Sequence, residues 1–463
     1  MHTLGLLVAT MTALSLALLL AVPPHREVSY GFQRNTTATT ASIPISPVDG
    51  LPYTRRNIRF DSHGTSCDAW LYTPLSPEKP GEAGGSCGPN TSVGLIAQFP
   101  VVIMAHGLGA QKELGLHRFA DAFARAGLAV MVFDYRTFGG SDGEPRHWAS
   151  PRRHLDDWRA ALRFVQSGGL GPEYDTQKVG LWGTSYAGGH VLVVASEQAP
   201  GSLAAVVSMI PHLDGVEASK ASIRRRGLAA SLRLLGVGIH DRLRAAASDL
   251  LQHTAAWLHA QPDAQSARQD AMPDQALTDG RNVSVVGRTE FQGLVSEAER
   301  RLRQVLLALL PPVGSWPVLE PAYIKLVGLE GELAVMQLSP DQLKAYFAKH
   351  PKEYEGGWRP VILSRFTLET SSYSPIKSVP RVTAPVLFIS ALRDQLCPAE
   401  QVRKAAELLP ASSSSGGSSS STGELVELDC THFDAYLGEY LAAVTDSNVR
   451  FLRRHLQPPP ADV

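Results

Sequence analysis

The chain has 463 residues, 44% of them apolar, so it can bury a large core and carry more than one domain. Its 43 Lys and Arg nearly cancel its 44 Asp and Glu, leaving a formal net charge of −1. That balance supplies neither a basic surface for nucleic acid nor an acidic one for a cationic partner.

From Leu4 to Val22 the sequence is almost wholly apolar and uncharged, and Pro23-Pro24 end the run. Residues 1–24 are expected to be a signal peptide or signal anchor. The chain would then enter the secretory pathway and be extracellular or single-pass membrane-anchored through Leu4 to Val22. Arg26 and Arg34 follow the run and pull weakly against a lumenal downstream side. Sequons starting at Asn35, Asn90 and Asn282 fit a glycoprotein. Residues 25–54 read as a polar linker.

Ordered structure is expected from about Arg55. Asn57–Phe60 and Cys67–Tyr72 read as a hairpin turning at Ser62-His63-Gly64. Residues 80–89 are a Gly/Pro-rich loop. Then a strand–helix rhythm begins. Strands are expected at 101–105, 129–134, 179–182 and 204–209, with helices at 114–126, 155–166 and after Ser185. Strands alternating with amphipathic helices predict an α/β fold, a mostly parallel sheet with helices on both faces.

From about Leu213 to Val379 that rhythm stops. Residues 216–260 and 295–310 look helical, and polar, Pro-rich stretches separate them. Residues 215–379 are therefore expected to be a helical cap inserted between two core pieces, 55–214 and 380–463. The sheet resumes at 385–390, a helix follows at 399–408, and the last strand is 425–428. A Ser/Gly tract at 411–423 reads as a surface loop. The closing helix lies within 441–456.

Gly183-Thr184-Ser185-Tyr186-Ala187-Gly188-Gly189 carries the chemistry. It joins an apolar strand to an apolar helix, and small residues flank the serine. Such a turn holds a serine strained and exposed as a nucleophile. A serine hydroxyl needs a base, and the base needs an acid to fix its tautomer. Asp394 and His432 each fall just beyond a later strand, where parallel sheets place ligand-facing loops. Asp434 is a rival acid, set too close to His432 in sequence to approach the ring from behind. The oxyanion donors are assigned to the N–H groups of Tyr186 and of Leu108, in His106-Gly107-Leu108-Gly109. His106 and His190 are expected to be structural. Asp134-Tyr135-Arg136 is expected to form a buried Asp–Arg network beside the site.

No Gly-rich loop cradles phosphate and no metal-ligand cluster is visible, so no cofactor and no metal are expected. The four cysteines have the wrong spacing for zinc. Cys67 with Cys87, and Cys397 with Cys430, are candidate bridges in an oxidising compartment; four thiols are the alternative.

With these segments in view, the chain resembles the α/β-hydrolase superfamily, and within it the branch of peptidase-like serine hydrolases and fungal polyketide transferase-type proteins. The resemblance rests on Ala105–Glu113, Phe133–Arg136, Gly143–Arg146, Trp182–Ser185 and Asp429–Asp434. It covers about 55–214 and 379–456, and not the insertion. It implies an α/β-hydrolase fold with Ser185, Asp394 and His432 as triad and Leu108 and Tyr186 as oxyanion donors. The expected activity is serine hydrolysis of a small-molecule ester, thioester or amide through an acyl-enzyme. Acyl transfer by the same triad, a serine peptidase, and a non-catalytic binder on a hydrolase scaffold are the alternatives. Apolar cap helices would favour an apolar acyl chain.

Overall fold

The protein is described by a computed structural model covering residues 52–75, 98–260, 301, 321–342, 358–411 and 423–457. The hairpin forms as expected from β1 (Tyr53–Ser62) and β2 (Thr65–Pro74). Its turn residues His63 and Gly64 both have positive φ, 52° and 75°. A two-residue hairpin loop of type I′ requires that.

Next come β3 (Phe99–Ala105), α1 (Leu116–Arg125), β4 (Ala129–Phe133), α2 (Pro151–Gln166), β5 (Tyr174–Thr184), α3 (Tyr186–Ala195) and β6 (Ala205–Met209). Two further helices follow, α4 (Gly215–Arg226) and α5 (Leu228–Ala260). The single helical stretch expected over 216–260 is thus broken at Gly227, whose φ is 83°. Asp214 starts α4 by accepting hydrogen bonds from the N–H groups of Val216 and Glu217 at 2.8 and 3.2 Å.

Three short strands then appear, β7 (Tyr323–Leu329), β8 (Ala334–Leu338) and β9 (Val361–Leu363). They form a separate sheet in the order β8-β7-β9. The insertion therefore holds strands as well as helices. β10 (Val386–Ala391), α6 (Ala399–Glu407), β11 (Gly423–Leu428) and α7 (Gly438–Leu456) complete the fold.

The large sheet has eight strands in the order β1-β2-β4-β3-β5-β6-β10-β11. All are parallel from β4 to β11, while β2 runs antiparallel to β1 and β4. Val101 to Ala105 and Ala129 to Phe133 are fully buried. Helices on both faces explain why these strands read as unbroken apolar runs. The outer strands are polar instead, with Arg55, Arg56 and Arg59 on β1 and Glu424 and Glu427 on β11. Charge on an edge discourages pairing with another chain.

The crossover from β3 to β4 runs one way along the sheet, and those from β4 to β5, β5 to β6 and β10 to β11 run the other. Right-handed crossovers then put α1 on one face and α2, α3 and α6 on the other. The packing agrees, since α7 lies on α1 and α2 lies on α3. The reversal of direction at β3 makes a switch point, the place where open sheets of this kind bind ligands.

The chain divides into two compact units. One comprises 29–238 and 323–463 and holds both sheets; the other comprises 1–28 and 239–322. Within the second unit, Asp241 is buried and accepts the N–H of Ala322 at 2.9 Å. No helix among the described residues is long and apolar enough to cross a membrane. Leu4 to Val22, the three sequons, Cys87, the Ser/Gly tract after Ala411 and the expected helix at 295–310, apart from Arg301, lie outside the described residues.

Candidate active site

β5 delivers Ser185 at its C-terminal end, and α3 starts at the next residue. Ser185 has φ 55° and ψ −117°, a conformation a non-glycine residue adopts only under constraint. The constraint is visible. Its N–H donates to the Met209 carbonyl at 2.9 Å, and its carbonyl accepts from His212 N–H at 2.9 Å. Both partners lie at or beyond the end of neighbouring β6. A Cβ on Gly183 would sit 2.2 Å from the Ala187 carbonyl oxygen, and one on Gly189 2.3 Å from that of His212. The small residues of the motif are therefore the condition for the bend. Ala187, where glycine is usual, is fully buried.

Asp394 and His432 come from the loops after β10 and β11. His432 Nδ1 and Asp394 Oδ2 are 2.5 Å apart, both residues being buried. The other carboxylate oxygen, Oδ1, accepts the N–H groups of Leu396 and Cys397 at 2.7 and 2.9 Å. Asp394 is thus fixed from both sides. Asp434 is engaged elsewhere, accepting the N–H and the hydroxyl of Thr431 at 2.9 and 2.7 Å. It shapes the loop that carries His432. The Tyr436 and Thr184 hydroxyls lie 2.5 Å apart, which ties that loop to the residue before Ser185.

Cys397 enters this group unannounced by the sequence. Its thiol lies beside the Ser185 side chain. Donor atoms of Asp394, Cys397 and His432 all lie within 4.8 Å of one another. Burial, with Asp394 nearby, holds the thiol pKa well above its usual value, an effect partly offset by the Ser185 side chain. Cys397 and Cys430 are both unbridged, as is Cys67. The candidate Cys397–Cys430 bridge is therefore replaced by two buried thiols.

The loop after β3 closes the other side. Ala105 of β3 pairs with Gly183 of β5, so Gly107 runs past Ser185. A Cβ on Gly107 would stand 3.1 Å from Ser185 Cβ. Tyr186 is the first residue of α3, so its N–H has no acceptor within the helix. Leu108 follows Gly107 in the same close-approaching loop. His106 is buried, with Nδ1 2.9 Å from the Gly107 carbonyl, and burial lowers its pKa to about 4.

The expected buried Asp–Arg network forms, but with Asp157 rather than Asp134 as the partner of Arg136. Asp134 accepts the N–H of Lys112 at 2.7 Å and its ammonium at 2.5 Å, while Arg136 pairs with Asp157 of α2. Thr137, at φ 74°, marks the turn after Arg136, which sends the two side chains to different partners. Lys112 also meets Asp68 at 2.6 Å and Glu113 at 3.2 Å. Burial opposes its charge, but these three carboxylates outweigh it and raise its pKa. Burial of Glu113 and the nearby Asp134 push the Glu113 carboxyl up to about 7. Lys112→Ala would leave Asp134 buried and unpaired. It is expected to cost about 3–5 kcal/mol, read as a lower urea midpoint.

The small sheet lies on the same loop. Trp358 Nε1 donates to the Gly109 carbonyl at 2.8 Å, and a Cβ on Gly109 would strike Leu326 at 2.6 Å. Leu363 N–H donates to the His147 carbonyl at 3.0 Å. Trp358, Leu326 and Ile362 are therefore apolar groups held against the loop carrying Leu108.

His190 lies behind the nucleophile and has the structural place expected of it. Its Nδ1 is 2.6 Å from the Tyr373 hydroxyl and its Nε2 3.3 Å from His154.

The family described as serine aminopeptidase, S33, matches residues 98–310. Quorum-quenching protein AidA of Acinetobacter baumannii is 26% identical over 414 residues, covering 89% of this chain and 96% of that one. Polyketide transferase af380 of Aspergillus fumigatus is 32% identical over 124 residues, 27% of this chain and 41% of the relative. Among solved structures, the α/β-hydrolase GrgF of Penicillium matches with a TM-score of 0.53 at 18% identity, covering 87% of this chain and 99% of that one. Together with the sheet order and the strained strand-to-helix serine, these likenesses show that the chain has the α/β-hydrolase fold.

Proposed function

We propose that the protein is a serine hydrolase of acyl esters or thioesters, working through an acyl-enzyme on Ser185. The observation that carries this reading is the buried His432–Asp394 hydrogen bond at the same edge of the parallel sheet as a serine strained at φ 55°. Ser185 Oγ attacks the carbonyl carbon while His432 Nε2 takes its proton. Asp394 holds Nδ1–H and stabilises the imidazolium. The N–H groups of Leu108 and Tyr186 receive the negative oxygen. His432 then protonates the leaving group, and water repeats the sequence to release the acid.

Relatives support acyl chemistry by their names. Thiohydrolase aneE of Aspergillus aculeatus is 36% identical over 92 residues, 20% of this chain. The name of polyketide transferase af380 favours a second reading, in which an alcohol or amine replaces water as acceptor. Product analysis with competing acceptors separates the two.

Labelling with a fluorophosphonate probe, mapped by mass spectrometry, tests the shared step. The expected result is a single adduct on Ser185, since such probes capture a serine activated by a neighbouring base. A folded protein that takes no adduct, or takes it on another residue, overturns the assignment.

A further inference from the structure

The thiol in the site has no part in acyl transfer, and it brings a third kind of donor to a place where a carboxylate and an imidazole already meet. We propose that Asp394, Cys397 and His432 form an inhibitory binding site for a thiophilic divalent cation, with zinc the best match. The metal site stands on the geometry alone; its inhibitory effect rests on the catalytic reading of Ser185 and His432.

The donor set is one carboxylate oxygen, one sulfur and one ring nitrogen, all within 4.8 Å of one another. Sulfur, imidazole and carboxylate together suit zinc better than magnesium or calcium, which take oxygen alone. Zinc bonds of 2.0–2.3 Å place tetrahedral ligands roughly 3.3–3.8 Å apart. His432 Nδ1 and Asp394 Oδ2, now 2.5 Å apart, therefore need to open by roughly 1 Å, and the separations to the sulfur, at most 4.8 Å, to close by about as much.

The loops after β10 and β11 are already tied together, since Arg393 N–H donates to the Cys430 carbonyl at 3.0 Å. All three donor residues are buried, with 4–7% of their surface exposed, so the ion would be largely desolvated and held by the protein.

The charges balance. Cys397 releases its thiol proton to solvent as the metal binds. The thiolate and the Asp394 carboxylate then neutralise the dication. His432 moves its proton from Nδ1 to Nε2 and gives the Nδ1 lone pair to the metal, which removes it as a base for Ser185. Because a proton must leave a thiol whose pKa is raised, affinity is expected to increase with pH. The active site would thus be switched off by free zinc and restored by a chelator, with no change in fold.

The test is a zinc titration of the full chain against a chromophoric zinc indicator, which needs no catalysis. Wild type is expected to bind one equivalent that Cys397→Ala holds at least about tenfold more weakly. Cys397→Ser keeps the size of the side chain and a hydroxyl toward Ser185 but loses the soft donor, and should weaken binding likewise. Cys67→Ala, at a buried thiol outside the cluster, should bind as wild type. Equal affinity in Cys397→Ala, or no bound equivalent in wild type, overturns the site. Fluorophosphonate labelling of wild type should slow at least about tenfold with the equivalent bound and recover with chelator. Zinc bound without slowed labelling overturns the inhibitory role. Absence of labelling even without zinc would refute the catalytic reading instead, and the indicator titration would still decide the metal site.

Discussion

Ser185→Ala is expected to lower acyl turnover by on the order of 10⁴-fold or more while leaving the fold intact, because residues acting as one unit fail together. The substitution removes only a hydroxyl, and the backbone bonds that strain the turn run through the Ser185 N–H and carbonyl. Asp394→Asn should fall in the same range, on the order of 10⁴, since an amide at that place favours the wrong imidazole tautomer. Asp434→Asn should be much milder, because Asp434 is bonded to Thr431 rather than to the ring. The double variant Ser185→Ala/Asp394→Asn should be no worse than Ser185→Ala alone. Initial rates on a p-nitrophenyl ester, with circular dichroism to confirm folding, measure all four. A larger loss from Asp434→Asn than from Asp394→Asn would show that the acid has been misassigned.

Ser185, Asp394 and His432 could be placed along one edge of the sheet from the chain because each comes just after a short apolar run, and parallel strands present the loops beyond their C-terminal ends there. Ser185 also carries its own local signature in the small residues that the bend requires. The partners of loop residues were another matter. Asp134 and Arg136 look like a natural pair in sequence, yet Lys112 and Asp157 take them, because the loop turns between strands that are not neighbours in the chain. Cys397 carried no signal at all. Its contact with Ser185 depends on β5 and β10 both flanking β6, which no local pattern reports. The strands β7 to β9 were hidden for a different reason. They are three to seven residues long, too short for periodicity to tell strand from helix.

Acidification is expected to unfold the protein steeply between about pH 6.5 and 5, and the reason lies in five buried imidazoles. Burial lowers His106 to about 4 against the pull of Asp134, and His212 to about 4 against a backbone bond at Tyr373. Burial, aided by Arg146 and Arg359, lowers His147 to about 3. His154 and His190 are driven well below the ordinary value, chiefly by burial and then by neighbouring histidines. In the folded protein these rings stay neutral. In the unfolded chain each regains a pKa near 6.5 and takes up a proton below it. The unfolded state therefore binds more protons, and stability is fully present above about pH 6.5 and is lost as pH falls toward 4. Each ring contributes a slope of about 1.4 kcal/mol per pH unit. Glu113 acts in the opposite sense: raised to about 7 in the folded state, it binds a proton there before the unfolded chain does. One carboxyl offsets about one ring, which leaves roughly four. By pH 5.5 they remove roughly 6 kcal/mol, comparable with the whole stability of an ordinary domain. Urea midpoints followed by tryptophan fluorescence at pH 7.5, 6.5 and 5.5 measure the effect. A midpoint that does not move between pH 7.5 and 5.5 would mean that these histidines reach solvent or a proton donor in the folded state, and the neutral, buried cluster behind Ser185 would have to be abandoned.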